Sequence, residues 1–247
     1  MTIALGFQSR DGIALCTDSQ VTKEGGLKFN SKKIEVLLYE NRVVAFAYAG
    51  SPEVWPLFLE EMQKKIEDES ASLLGLLWHE EIRAHLETVL ISIAKKHRDK
   101  VFEVLCAASH HTNGRQLYYG TGKLVREAQW ECLGVGDSSV VRYLSSVLHY
   151  PVTSVMQCLF LGYYIVDQAK QFTDRCGGPT QGLIVTDDGN LRTPNFDEVD
   201  FHDVEQALSF LLWTVSNPHS KEEQINEGFK RFEDCVREIK WNDLEII

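Results

Sequence analysis

The chain is 247 residues long, 44% hydrophobic, and carries a formal net charge of -11 at pH 7. That length suffices for one large domain with a substantial core, while the acidic balance argues against a nucleic-acid groove, which needs clustered Lys and Arg. No apolar run is long enough to span a membrane and the N-terminus lacks a basic-plus-apolar signal pattern, so a cytoplasmic protein without nucleic-acid or membrane partners is expected.

In chain order, residues 2–8 alternate as a strand, Asp11-Gly12 is a hairpin signal, and residues 13–22 return as a second strand. The hairpin lays Asp18 back near the start of the chain. Gly25-Gly26 leads to a strand over 31–39, Glu40-Asn41 turns, and the apolar run 42–50 reads as a buried strand. Ser51-Pro52 opens a helix through Trp55, Phe58 and Met62, and a second helix is predicted over about 72–97. Residues 101–108 and 115–119 read as paired strands joined through 112–114. Helices follow over 138–150 and 152–172, a strand over 181–186 before the Asp188-Gly189 turn, and a polar link over 190–200. Two last helices, about 203–215 and 221–240, form a C-terminal extension. Periodicity alone gives only an α+β chain; the division expected is a domain over 1–200 and a helical extension over 201–247 that packs on that domain or on a neighbouring subunit.

Several chemical signatures fail on spacing. His79-Glu80-Glu81-Ile82-Arg83 lacks the second histidine of the zinc-protease helix, and His110-His111 has no evident third ligand. Gly134-Val135-Gly136 lacks the third glycine of a dinucleotide fingerprint. The six cysteines include no Cys-x-x-Cys and read as reduced core residues, so neither a metal nor a cofactor is expected.

Thr2 is the candidate nucleophile. Methionine aminopeptidase normally removes an initiator Met before Thr, and the residue left behind carries an amine beside its own hydroxyl. A hydroxyl needs a neighbouring base to attack at neutral pH, and an N-terminal amine, with a reference pKa of about 7.7–8.0, is a suitable one. Methionine removal is the expected maturation step, since an amine retained in a peptide bond accepts no proton.

Thr2, Asp18-Ser19-Gln20, Lys32-Lys33-Ile34 and Ala49-Gly50-Ser51, in that order and spacing, resemble proteasome β-type subunits and their bacterial relative HslV. Leu117-Tyr118-Tyr119, the segment 133–138 and the segment 176–189 extend the resemblance over roughly residues 2–190. It implies a four-layer αββα sandwich of the N-terminal-nucleophile hydrolase kind. It also implies a threonine peptidase acting on polypeptides or peptides through an acyl-enzyme, inside a self-associated homo-oligomeric ring that an unfoldase or regulator could serve.

By the same resemblance, Lys33 lies beside the Thr2 hydroxyl, Asp18 holds that lysine charged, and the Gly50 N–H is the oxyanion donor. Val21 and Tyr48 fall at substrate-binding positions, Tyr48 at the base of a side-chain pocket that its ring would shorten in favour of small residues. The family's amine-holding serine and acid are less directly matched: Val135 occupies the usual serine position, leaving Asp137 or Ser138 to substitute, and Asp174 precedes Cys176 with one residue fewer than is common. Taken singly, Asp18 reads as a turn cap, Lys33 as a solvated strand residue, Gly50 as a strand-to-helix turn, and Asp137, Ser138 and Asp174 as helix caps. Two other functions fit the same residues: an amidohydrolase acting on a small amide, and a non-catalytic structural subunit.

Overall fold

The computed structural model describes residues 2–22, 26–39, 42–69, 78–111, 114–134, 139–148, 154–194, 201–237 and 241–243. It is a mixed α/β fold whose strands all pair antiparallel. The expected first hairpin forms from β1 (Ile3–Gln8) and β2 (Gly12–Asp18), with Ala4 opposite Thr17. Ser9 closes its turn, both its N–H and its hydroxyl donating to the Gly12 carbonyl. The predicted single strand over 13–22 breaks at Ser19. Its far end becomes β3 (Gln20–Thr22), which pairs with β4 (Lys28–Asn30) in a separate two-stranded sheet.

One five-stranded sheet runs, in spatial order, through β5 (Ile34–Tyr39), β6 (Arg42–Gly50), β7 (Phe102–His110), β8 (Gly114–Thr121) and β9 (Leu124–Glu127). The six-stranded sheet places β10 (Trp130–Gly134) beside β1, then β2, β11 (Thr180–Thr186), β12 (Leu191–Pro194) and β13 (Trp241–Asp243). Thus the predicted polar link over 190–200 begins as a strand, because its backbone groups complete the ladder of β11. Helices α1 (Val54–Glu69) and α2 (Trp78–Lys96) separate β6 from β7, whereas α3 (Ser139–Leu148) and α4 (Val155–Phe172) separate β10 from β11. Helices α5 (Phe201–Ser216) and α6 (Glu222–Arg237) pack on each other and on α4.

The strand period of two assigns the apolar side chains to three clusters. Ile3, Leu5 and Phe7 of β1 face Cys158, Leu159 and Ile165 of α4, together with Leu208, Leu211 and Phe232. The intervening Ala4, with Ile13 and Leu15, meets Ala45, Ala47, Leu105 and Leu117 of the five-stranded sheet. On that sheet's other face Phe46, Tyr48, Val104 and Tyr118 pack with Trp55, Phe58, Met62, Ile82 and Leu86 of α1 and α2. Strands buried on both faces read as the near-continuous apolar runs of β1, β2 and β6. Among the described residues no helix is long and apolar enough to cross a membrane.

Candidate active site

The two sheets bring three polar side chains together at one end of the apolar layer between them. Asp18 ends β2 and Lys33 directly precedes β5; both are fully buried, and Thr2, just before β1, is 4% exposed. The Lys33 ammonium donates to Thr2 Oγ1 at 2.7 Å, to Asp18 Oδ1 at 2.8 Å and to the Gln20 carbonyl at 2.5 Å. Those partners use all three of its N–H donors. Asp18 is held in turn: Oδ1 also accepts from the Ile3 N–H at 3.1 Å, and Oδ2 from the Gly177 N–H at 3.0 Å. Thr17 Oγ1 donates to the Ile3 carbonyl at 2.8 Å, so β2 fixes the start of β1 through a side chain as well as the ladder.

Burial draws the Lys33 ammonium below the usual lysine range, and the charge and hydrogen bond of Asp18 oppose that fall. The thiol of buried Cys176 is pushed up to about 11, mainly by burial and then by Asp18. The Tyr48 hydroxyl is pushed up to about 12 for the same two reasons, in the same order.

Two glycines are required by close backbone approach. A Cβ on Gly134, at φ 67°, would lie 1.9 Å from the Thr2 carbonyl oxygen, and one on Gly50, at φ 114°, would lie 2.1 Å from the Val101 carbonyl oxygen. That Val101 carbonyl also accepts from the Ser51 N–H at 2.9 Å.

Val21 and Tyr48 line one groove of about 490 Å³, together with Phe29, Ser31, Trp55 and Lys100. The Tyr48 ring stacks on Trp55 with centroids 4.4 Å apart, forming an aromatic floor. Asp174 is exposed, and its main-chain carbonyl accepts from Lys28 Nζ at 2.7 Å and Gln20 Nε2 at 3.4 Å. Asp137 and Ser138 lie outside the described residues.

Sequence reasoning missed three contributors. Gly177 supplies a main-chain donor to Asp18, Gln181 bonds the backbone on either side of Lys32, and Lys170 of α4 reaches the hydroxyl of Thr180, which faces Asp18 in the β2–β11 register. Separations such as the 148 residues between Lys33 and Gln181 leave no local signal. Among the described residues no group of three or more His, Cys, Asp or Glu side chains is arranged to hold a metal ion. The arrangement supplies a buried ammonium on a hydroxyl, with a carboxylate behind it.

No protein-family model matches the chain, and no curated protein matches it. Solved structures do. Anbu (ancestral beta-subunit) from Yersinia bercovieri superposes with a TM-score of 0.70 at 13% identity, over 89% of this chain and 99% of that one. The Anbu complex from Pseudomonas aeruginosa, solved as a helical assembly, gives 0.68 at 15% identity over 90% and 99%. Anbu from Hyphomicrobium sp. strain MC1 gives 0.68 at 13% identity over 85% and 95%. These matches correct the resemblance drawn from sequence: the relatives they name are Anbu proteins, not proteasome β-type subunits or HslV. At such identities the likeness is one of fold, and the fold is that of an ancestral-β-subunit protein over nearly the whole described chain.

Proposed function

We propose that the chain is an N-terminal threonine hydrolase that cleaves peptide bonds. The observation that carries this reading is the 2.7 Å contact between Lys33 Nζ and Thr2 Oγ1, with Asp18 2.8 Å behind the same ammonium. Because Oγ1 accepts from a fully employed ammonium, its own proton is free to go to the Thr2 amine, directly or through one water, once Met1 is removed. Oγ1 then bonds to the substrate carbonyl carbon, the Lys33 charge stabilises the oxygen as it gains negative character, and the amine returns the proton to the departing nitrogen as the C–N bond breaks. Water hydrolyses the resulting ester by the reverse sequence of proton transfers.

Gly50 N–H serves as oxyanion donor in this scheme, and Asp174, Asp137 and Ser138 remain the candidates for holding the amine. The groove with Val21 and Tyr48 receives the side chain that precedes the cleaved bond, its aromatic floor favouring small residues. A volume of about 490 Å³ falls within the range of about 300–1,000 Å³ common for ligand pockets. We read the architecture as a four-layer αββα sandwich, with residues 201–247 as an extension on the same domain, and the working form as a homo-oligomer.

The decisive measurement combines intact mass with a threonine-directed epoxyketone. The mature protein should lack Met1 and carry one adduct at residue 2, whereas Thr2→Ala should carry none and Lys33→Ala should lose on the order of 10²–10³ in peptide turnover while remaining folded. A protein that keeps Met1 in cells with normal aminopeptidase, or a Lys33→Ala variant with undiminished turnover, would remove the proposal and favour a non-catalytic subunit.

A further inference from the structure

We infer that Gln181 is the positioning residue of this site, coupling the lysine that activates the nucleophile to the wall of the substrate groove; the inference rests on the hydrolase reading. Residues 31–33 run between β4 and β5 without a strand ladder, so their main-chain groups need partners from elsewhere. The Ser31 N–H donates to the Ser19 carbonyl at 2.8 Å. Gln181 supplies two more: its Oε1 accepts from the Lys33 N–H at 2.8 Å, and its Nε2 donates to the Ser31 carbonyl at 2.9 Å.

The two contacts fix the amide's orientation, because one partner is only a donor and the other only an acceptor. A primary amide does both jobs; a carboxylate keeps the acceptor and loses the donor, and a thioether has no donor and only a weak acceptor. The two residues it grips do different things. Lys33 ends on the Thr2 hydroxyl, while Ser31 lines the groove with Val21 and Tyr48.

Gln181 also has a fixed platform. It lies opposite Thr17 in the β2–β11 register, and Thr17 is the residue whose hydroxyl holds the Ile3 carbonyl at the start of β1. Its neighbour Thr180, opposite Asp18, accepts from Lys170 of α4, whereas Gln181 reaches residues 31–33 before β5, as strand alternation requires. One rung of the central ladder thereby sets the nucleophile's strand, and through Gln181 the distance to its ammonium. Gln181 itself exchanges no proton and touches no reacting atom.

The test uses the full-length mature protein with Gln181→Met and Gln181→Glu, read in two ways. NMR of lysine labelled at Cε follows the Lys33 titration, and the rate of epoxyketone labelling at Thr2 follows reactivity. In Gln181→Met the Lys33 titration should move up toward the ordinary lysine value as the segment loosens and takes on water. Thr2 labelling should fall about ten- to a hundred-fold, the scale expected of a displacement of about 1 Å. Gln181→Glu, which retains the acceptor for Lys33, should recover most of that labelling but bind peptide with a raised KM through the released Ser31. A wild-type Lys33 titration in Gln181→Met, or a Glu variant as impaired as the Met variant, overturns the role. Should Gln181→Met fail to fold, Gln181→Asn, one methylene short of both partners, replaces it under the same criteria. If the wild-type protein takes no label, the hydrolase reading fails separately, and the Lys33 titration still decides whether Gln181 sets that side chain.

Discussion

The Lys33 ammonium sits where three requirements meet: it must stay charged, reach one hydroxyl, and survive complete burial. Its three hydrogen bonds meet the last, and Asp18 meets the first by opposing the effect of burial on its protonation. Activity in the proposed mechanism needs the charged form, so it should fall as pH rises through the Lys33 pKa, at a pH below that of an ordinary lysine. Asp18→Asn deletes the charge that raises this pKa. The alkaline limb of the pH–rate profile should therefore move to lower pH in that variant, and a limb that stays in place would show that Lys33 does not govern it. Asp18→Asn should also destabilise the fold by about 3–5 kcal/mol, the usual result of leaving one partner of a buried ion pair alone, as chemical denaturation would show. Of Thr2, Asp18 and Lys33, the hairpin signal alone brings Asp18 back near the start of the chain; Lys33, which singly reads as a solvated strand residue, is picked out only through the family resemblance. The need for glycine at position 134 was not legible in sequence, since it arises from the carbonyl of Thr2, more than a hundred residues away.

At the scale of elements, α4 shows how local and distant signals combine. Ser154 and Gln157 form a capping box, and the Asp11 carboxylate of the first hairpin accepts from the Val155 N–H at 2.7 Å. The helix that covers β1 and β2 is thus tied at its N-terminus to the turn between them. Ser154→Ala should lower stability by about 1 kcal/mol, with a fall in Tm of about 2–4 °C; no change in a thermal melt would mean that Asp11 alone suffices as the cap. The long helices and the buried strands were readable because each has a clear period and recognisable ends. β3, β4, β12 and β13 have three or four residues each, too few for alternation to register, and they exist because a neighbouring strand offers unpaired backbone groups. The helix expected from about residue 72 is described only from Trp78.

For the molecule as a whole, three apolar clusters separate the helices from the sheets and the sheets from each other. Length and composition forecast a large core, and the apolar density of residues 42–50 forecast that β6 is buried; the burial of β1 on both faces was not forecast by its alternation. What sequence did not settle was the relative: the resemblance pointed to proteasome β-type subunits and HslV, whereas the solved structures named above as superposing on 85–90% of the chain are Anbu proteins. Phe172 at the end of α4 and Trp213 on α5 are 84% and 58% exposed, and in the proposed homo-oligomer such surfaces are available for contact between copies. Mass photometry of the purified protein should give a multiple of the chain mass. A sample that remains monomeric across the accessible concentration range would remove the assembly from the proposal.

The burial of the thiols has a practical consequence. Cys16, Cys106, Cys132, Cys158 and Cys176 are buried, and Cys235, on α6, is the partly accessible sixth. A maleimide dye applied to the native protein therefore reports from one helix of the C-terminal extension, leaving the nucleophile's surroundings untouched. Fluorescence transfer between two such labelled preparations would follow subunit exchange in real time, without any engineered cysteine.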